Sequence, residues 1–310
     1  MTPDTRFAFR RSVSQRRTHR DCGLKYLHQY GQGWTETSLR GTFAFGIEFQ
    51  ETVNEVLLGR NGVTVATAPE RFAQRWAARL QAAPPIRFAP NARVKAADLT
   101  ARGPVLVRQA LEAFAPRIRL GSHGYLDKSL TYELTPGLGG TGRPDIFCEG
   151  FNMHELLPPA LRDAWAPQLS GWHYGIADFK TSGQKYGELD AELDEQLTEY
   201  QIAHRLACPD LPPVEWVALI VCIYTTVPTV QWLVMPPRSA TEEASHIHTA
   251  QVIDAQIRAE VFPRNPRACF AMGECAFVPL CYPSQRHRIA TDLVQRRERG
   301  NALDELDFME

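Results

Sequence analysis

In the segment YGIADFK, residues 174–180, Asp178 and Lys180 stand two apart. On a strand, residues two apart face the same way, and Ile176 lies on that side with them. An acid and a base buried side by side cost several kcal/mol unless they pair or bind a metal. A strand this apolar sets them at the edge of a core. Two explanations stand: a salt bridge at a strand end, or a metal-binding carboxylate beside a lysine that positions or deprotonates water. A second carboxylate is Asp145, within GRPDIF, on the return strand of a hairpin just past a tight glycine turn. Two carboxylates from adjacent strands suit Mg2+, which takes hard oxygen ligands and keeps several waters. Such an ion carries a nucleophilic water and neutralises charge on a phosphate diester. Glu133, on the opposing strand, offers a third oxygen. Downstream, Gln196 and Tyr200 (QLTEY) are i, i+4 on one helix face, with His204 a turn further on. Leu193, Leu197 and Tyr200 read equally well as a core stripe, whereas Gln196 fits a polar strip better.

The cysteines are the other candidate ligands. Seven are too few for a disulfide scaffold in 310 residues. Cys269, Cys275 and Cys281 form C-x5-C-x5-C in a loop-like stretch rich in Gly and Pro, and Cys22 sits alone near the other end. Cys148, Cys208 and Cys222 lie in or beside apolar segments and read as small buried hydrophobes. Zinc ribbons use tighter pairs in two matched halves, which this chain lacks. A cubane Fe–S cluster needs four thiolates and tolerates irregular spacing, with Cys22 the natural fourth. On spacing alone, ordinary reduced cysteines account for the pattern equally well.

The elements that have to position these groups follow from periodicity. Phe45, Phe49, Val53, Val56 and Leu57 predict a helix over 41–58. A second follows Pro69 through Phe72, Trp76 and Leu80 and ends at Pro84-Pro85, and a third runs over 104–119. LTYEL (130–134) and GRPDIFC (142–148) flank PGLGG and predict a β-hairpin. An irregular insertion with one short helix fills 151–172. A strand at 174–180, a helix at 189–207, strands at 214–224 and 230–235, and a helix at about 241–260 follow. This order predicts an α/β chain: a small mixed sheet with helices against it and an N-terminal helical lobe. The lobe takes 1–125, the core 126–240, and the last helix, cysteine loop and tail 241–310, with no clear domain boundary between them.

Composition narrows the function classes. A 44% apolar fraction permits a packed core and excludes wholesale disorder. With 34 Lys+Arg against 35 Asp+Glu, any anion-binding surface is a local patch. One such patch is the N-terminal run of Arg6, Arg10, Arg11, Arg16, Arg17, Arg20 and Lys25. It is either a solvated face or a steering surface for a polyanion. The longest strongly apolar run, Val217–Tyr224, is far short of a membrane helix, and the N-terminus lacks a signal-type apolar region. The expectation is a soluble, cytoplasmic protein with no membrane partner. GLGGTG lacks the Lys-Ser/Thr of a phosphate loop and reads as a hairpin turn.

GRPDIF, then IADFK, then QLTEY, bracketed by Cys22 and the three C-terminal cysteines, resembles the PD-(D/E)XK nuclease superfamily. Within it the chain is similar to the iron–sulfur exonuclease branch: nuclease domains of RecBCD/AddAB-type helicase–nucleases, CRISPR-associated exonucleases and phage relatives. Each motif is weak alone; their order is more specific. The resemblance implies a restriction-endonuclease-like core with a C-terminal Fe–S loop. It implies that Asp145 and Asp178 hold Mg2+ or Mn2+ with help from the Phe179 carbonyl, and that Lys180 orients or activates the attacking water. Gln196 and Tyr200 would shape the site and contact DNA. Cys22, Cys269, Cys275 and Cys281 would hold a structural [4Fe–4S] cluster, tying segments 247 residues apart. The implied activity is DNA hydrolysis from ends or single strands, leaving 5′-phosphate and 3′-hydroxyl products. DNA would be gripped by Arg16, Arg17, Arg20 and Lys25, and by Arg286, Arg288, Arg296 and Arg297. A helicase or recombination protein is the implied partner.

The chain departs from that pattern at three places. Many relatives carry G-x3-H; here GIEFQE puts Gln50 at the histidine position, with Glu51 or Glu48 as candidate substitutes. The first two C-terminal cysteines are spaced C-x5-C instead of C-x2-C. Asp145 and Asp178 are 33 residues apart, a long gap. The missing histidine motivates an alternative function, a non-catalytic Fe–S DNA-binding or assembly subunit. A redox protein using the cluster for electron transfer ranks below both, because it leaves the motif order unexplained.

Overall fold

The computed structural model describes residues 10–88, 92–271 and 274–295. Arg6, Arg296, Arg297 and the acidic tail therefore lie outside the described residues. In chain order the principal helices are α1 (Val13–Asp21), α2 (Gly41–Leu57), α3 (Ala68–Gln81), α4 (Ala96–Phe114), α5 (Glu188–Glu192), α6 (Glu195–Ala207) and α7 (Ala240–Arg258). The strands used below are β1 (Arg10–Arg11), β2 (Ile118–Arg119), β3 (Tyr125–Leu126), β4 (Leu130–Thr135), β5 (Leu138–Gly142), β6 (Ile146–Phe151), β7 (Trp172–Ser182), β8 (Trp216–Ile223) and β9 (Thr229–Met235). No helix among the described residues is long and apolar enough to cross a membrane.

The chain divides into two compact units with interleaved sequence. One comprises Arg40–Tyr132 and Gly142–Glu243; the other comprises Met1–Leu39, Glu133–Thr141 and Ala244–Glu310. The first is built on a mixed sheet of order β9-β8-β7-β6-β2, with β3 also pairing β6. Strands β7 and β8 run parallel, and the other neighbours run antiparallel. A parallel pair needs a crossover, and α5 and α6 supply it. Every residue of β8 is buried, as a central strand covered on both faces requires.

Register decides which side chains share a face. Ile176, Asp178 and Lys180 lie opposite Val217, Leu219 and Val221. That face is covered by α6, whose Leu197 and Tyr200 join Phe147, Ile176 and Leu219 in one apolar cluster. Phe179 points the other way and packs at a tilt against Phe114 of α4, with ring centroids 5.3 Å apart. There α2, α3 and α4 form a helical layer built on Phe45, Phe72 and Trp76. Backbones approach closely at Gly175. A Cβ there would meet the Trp216 ring at 2.2 Å, so only glycine fits between β7 and β8 at that level.

The second unit carries the hairpin β4–β5, with β1 added parallel to β5. Its two ends of sequence meet through protein groups. Arg11 forms a buried ion pair with Asp254 and donates to the Tyr26 hydroxyl at 3.0 Å. His19 bonds the Val261 carbonyl at 2.8 Å. Tyr26, Ile253 and Ile257 form a small apolar core with Tyr30 and Phe262 against it.

The mixed α/β architecture expected from the sequence is the one observed, with two corrections. Helix α4 starts at Ala96, eight residues before the expected start, and carries Pro104 inside it. The hairpin is also shorter and earlier than expected. Its turn is Pro136-Gly137, with Gly137 at φ 78°, and LGGTG is its return strand rather than a turn. GRPDIFC leaves that hairpin altogether, and β6 joins the other sheet.

Candidate active site

Asp178 sits in the middle of β7, and its side chain is 2% exposed. Asp145 immediately precedes β6. The pairing Ala177 with Ile146, carried one step further, sets Asp145 opposite Asp178. One Asp145 oxygen accepts the Phe179 N–H at 2.7 Å. Burial, and then the Asp178 carboxylate, push the Asp145 carboxyl well above the ordinary range. Burial raises Asp178 as well, against the pull of Lys180. Two acids driven up by confinement and mutual repulsion form a pair short of positive charge.

Lys180 supplies part of that charge. Its Nζ lies 2.6 Å from Asp178 Oδ2 and donates to Gln196 Oε1 at 2.7 Å. Gln196 Nε2 in turn donates to the Tyr200 hydroxyl at 2.6 Å. The Lys180–Asp178 contact is an ion pair without hydrogen-bond direction: Asp178 Oδ2 is a buried oxygen with no directed partner. Burial alone would lower the lysine's pKa, but Asp178 and Asp194 outweigh it and hold Lys180 above its ordinary value. The group is therefore a fixed ammonium. Tyr200, raised by burial and then by Asp178 and Asp145, stays a neutral phenol.

Helix α6 delivers Gln196 and Tyr200 because Asp194 caps it, accepting the Leu197 N–H at 2.8 Å. The helix expected over 189–207 is thus broken at Leu193–Asp194, and the break sets α6 at the level of Lys180. His204 belongs elsewhere: it bonds Tyr125 Oη and the Pro212 carbonyl at 2.9 Å each and packs at a tilt against Phe147. Burial keeps it below its ordinary pKa.

Helix α2 contributes Gln50. Its Nε2 donates to the second Asp145 oxygen at 2.6 Å and lies 3.4 Å from Asp127 Oδ1. Gly46, one turn earlier, makes the approach possible, since a Cβ there would stand 2.9 Å from Thr181 Oγ1. Glu48 is corrected as a substitute for a histidine, being buried against Arg75 at 3.0 Å. Glu51 stands 3.9 Å from Arg75 with half its side chain exposed, and its charge reaches Asp127. Glu133 is corrected too: it caps its own hairpin, accepting the Gly137 N–H at 2.8 Å. The third acid beside this site is Asp127, which sequence reasoning missed. The available signal was the line Gly46, Gln50, Asn54 at i, i+4, i+8, small and polar amide residues on one side of the helix.

The donor set fits a hard divalent cation. Two buried carboxylates set opposite each other on neighbouring strands match the oxygen preference of Mg2+ or Mn2+. Such ions commonly take one or two protein carboxylates and complete their shell with water and substrate phosphate. Among the described residues no group of three or more His, Cys, Asp and Glu could hold a metal ion by itself, so substrate and water would complete the shell.

The four cysteines of interest all belong to the second unit, and all are free thiols. Burial raises Cys275 and Cys281, the latter to about 11, and each also feels Cys22 and Cys269. Cys275 N–H bonds the Cys269 carbonyl at 2.8 Å. His28 Nε2 stands 3.6 Å from Cys281 Sγ. Four neighbouring thiols fit a cubane in kind and number. Each would bind a different iron, so no three need converge on one ion.

The basic N-terminal run is mostly structural. Arg16 is 4% exposed and donates to the Gly139 carbonyl at 3.2 Å, which corrects its placement as a DNA contact. Arg17 and Arg20 are exposed, each 3.9 Å from Asp21. Lys25 is half-buried near Cys275. Arg288 is engaged by Glu274 and Asp292, and Arg286 is exposed.

No family model matches the chain, and no curated protein does. Solved structures do. One is a protein called "Putative exonuclease" from Eubacterium rectale, 10% identical, with a TM-score of 0.46, matched over 99% of this chain and 98% of that one. A likeness that loose leaves the function to be argued from the residues.

Proposed function

We propose that this protein is a Mg2+- or Mn2+-dependent deoxyribonuclease that hydrolyses phosphodiester bonds, acting from DNA ends. The observation that carries this reading is the meeting of Asp145, Asp178 and Lys180 where the start of β6 lies beside the middle of β7. Asp145 and Asp178 would hold the cation, with the Phe179 carbonyl beside them. When bound, the ion polarises a phosphoryl oxygen and lowers the pKa of water.

The chain's own groups do the rest. Lys180 is placed to orient or activate the attacking water and to set a donor beside the phosphate. Gln196 fixes the lysine by accepting from Nζ, and Tyr200 fixes Gln196. That relay leaves the ammonium few alternative rotamers, as positioning the attacking water requires. Water attacks phosphorus in line, the P–O3′ bond breaks, and the products carry 5′-phosphate and 3′-hydroxyl ends. Exposed Arg17 and Arg20 are the candidates in the basic run for phosphate contacts. In the other unit, Cys22, Cys269, Cys275 and Cys281 would hold a [4Fe–4S] cluster with a structural role. A helicase or recombination protein remains the proposed partner.

The test is digestion of linear and circular DNA with Mg2+ or Mn2+. Wild type should degrade linear DNA, and Asp178→Ala should lose at least about a hundredfold in rate, on the scale of removing a group that stabilises the transition state. Intact DNA with wild type, or equal cleavage by Asp178→Ala, would sink the assignment.

A further inference from the structure

Asp127 has no role in the reading above, yet the fold spends conformational freedom on it. It sits in the left-handed region at φ 49°, a conformation that few non-glycine residues adopt. Its place is set by the backbone: β3 pairs with β6, and the Asp127 N–H bonds the Asp145 carbonyl at 3.1 Å. Its carboxylate then gathers donors from three directions. Gln50 Nε2 is 3.4 Å from Oδ1, and Asn54 Nδ2 donates to Oδ2. Arg143 approaches Oδ1 at 3.7 Å and donates from Nε to the Asp127 carbonyl at 3.0 Å. Asn54 is 4% exposed, and its Oδ1 has no hydrogen-bond partner. A buried acceptor left unpaired is destabilising. Turning that amide over would aim Oδ1 at the carboxylate, so the anion dictates its orientation.

The same logic fixes Gln50. Its amide faces two carboxylates, so the nitrogen has to point at them. Asp145 alone offers one acceptor for that amide; Asp127 adds a second and closes off the flipped arrangement. We infer that Asp127 is a positioning residue of this site, holding the Gln50 amide nitrogen against Asp145 Oδ1 and thereby fixing how Asp145 presents itself to a divalent cation. This rests on the nuclease reading. Asp127 acts through Gln50 and need not touch the ion. Groups that orient a metal's carboxylate ligand change affinity or activity by about 10–100-fold when removed.

The experiment is Mn2+ titration by calorimetry, with steady-state kinetics, on wild type, Asp127→Asn, Gln50→Leu and the double variant. Asp127→Asn should weaken Mn2+ binding about 10–100-fold and lower kcat with KM for DNA unchanged. Gln50→Leu should lose as much, and the double variant should lose no more than either single change, because the two act in series. Should Asp127→Asn fail to fold, Asp127→Glu, which keeps the charge but displaces it by a methylene, should lose about tenfold. Wild-type affinity in a folded Asp127 variant, or losses that multiply in the double variant, would overturn the inference alone. Wild type that binds no Mn2+ would overturn the metal reading and this inference with it.

Discussion

At the scale of residues, the site is defined by acids that resist sharing a space. Asp145 holds its proton more tightly folded than unfolded, because burial and Asp178 both oppose its charge. Stability from such a group is fully present below the ordinary carboxylate range and lost as pH rises through the folded value. Metal-free protein therefore carries a penalty at neutral pH that Asp145→Asn removes. In EDTA, the melting temperature of Asp145→Asn relative to wild type should rise steadily from pH 4 to pH 8. A flat difference would show the acids to be uncoupled from folding. Asp145, Asp178, Lys180, Gln196 and Tyr200 were legible in the sequence because each sits in a short motif at fixed spacing. Asp127 was not, because YLDKS has no motif and its partners lie 73 and 77 residues away. Gln50 was noticed only as a missing histidine, whereas the structure gives its amide a contact of its own with Asp145.

At the scale of elements, α6 is the part that turns spacing into geometry. Its start at Glu195, behind the Asp194 cap and not at 189, brings Gln196 to Lys180. Asp194→Ala removes the cap and should cost about 0.5–2 kcal/mol, read as a lower urea midpoint with an unchanged slope. The strands were legible because β7, β8 and β9 are apolar runs bounded by turn residues. The hairpin was misjudged because LGGTG looks like a turn by composition. Three of its residues are buried as the return strand, and burial against a neighbour outweighs glycine's poor strand propensity. Pro104 misled for a related reason: a proline reads as a helix start, yet α4 runs through it, held by Leu99, Leu106 and Val107 in the core.

At the scale of the whole molecule, the path of the chain matters more than any single contact. The backbone passes between the two units four times, at 39–40, 132–133, 141–142 and 243–244. The cysteine centre belongs to the unit that joins both ends of the sequence. Protein purified without oxygen should be brown, with iron and sulfide in near-equal amounts. Cys22→Ser should lose iron and melt lower, because it frees one end of a tie spanning 247 residues. A colourless, zinc-loaded protein would overturn the cluster. That Cys22 would join the three later cysteines was suggested by the need for a fourth thiolate and by the resemblance. The direct protein contacts that join the same segments, such as Asn265 Nδ2 to the Asp21 carbonyl at 2.8 Å, have no sequence signature.

The buried pairing of Arg11 with Asp254 spans 243 positions. A ribosome adding roughly 5–20 residues per second needs roughly 12–50 s to make the acid after the arginine has emerged. Throughout that interval Arg11 waits for this carboxylate, while its earlier-made partners, the Tyr26 hydroxyl and strand β5, are already in the chain.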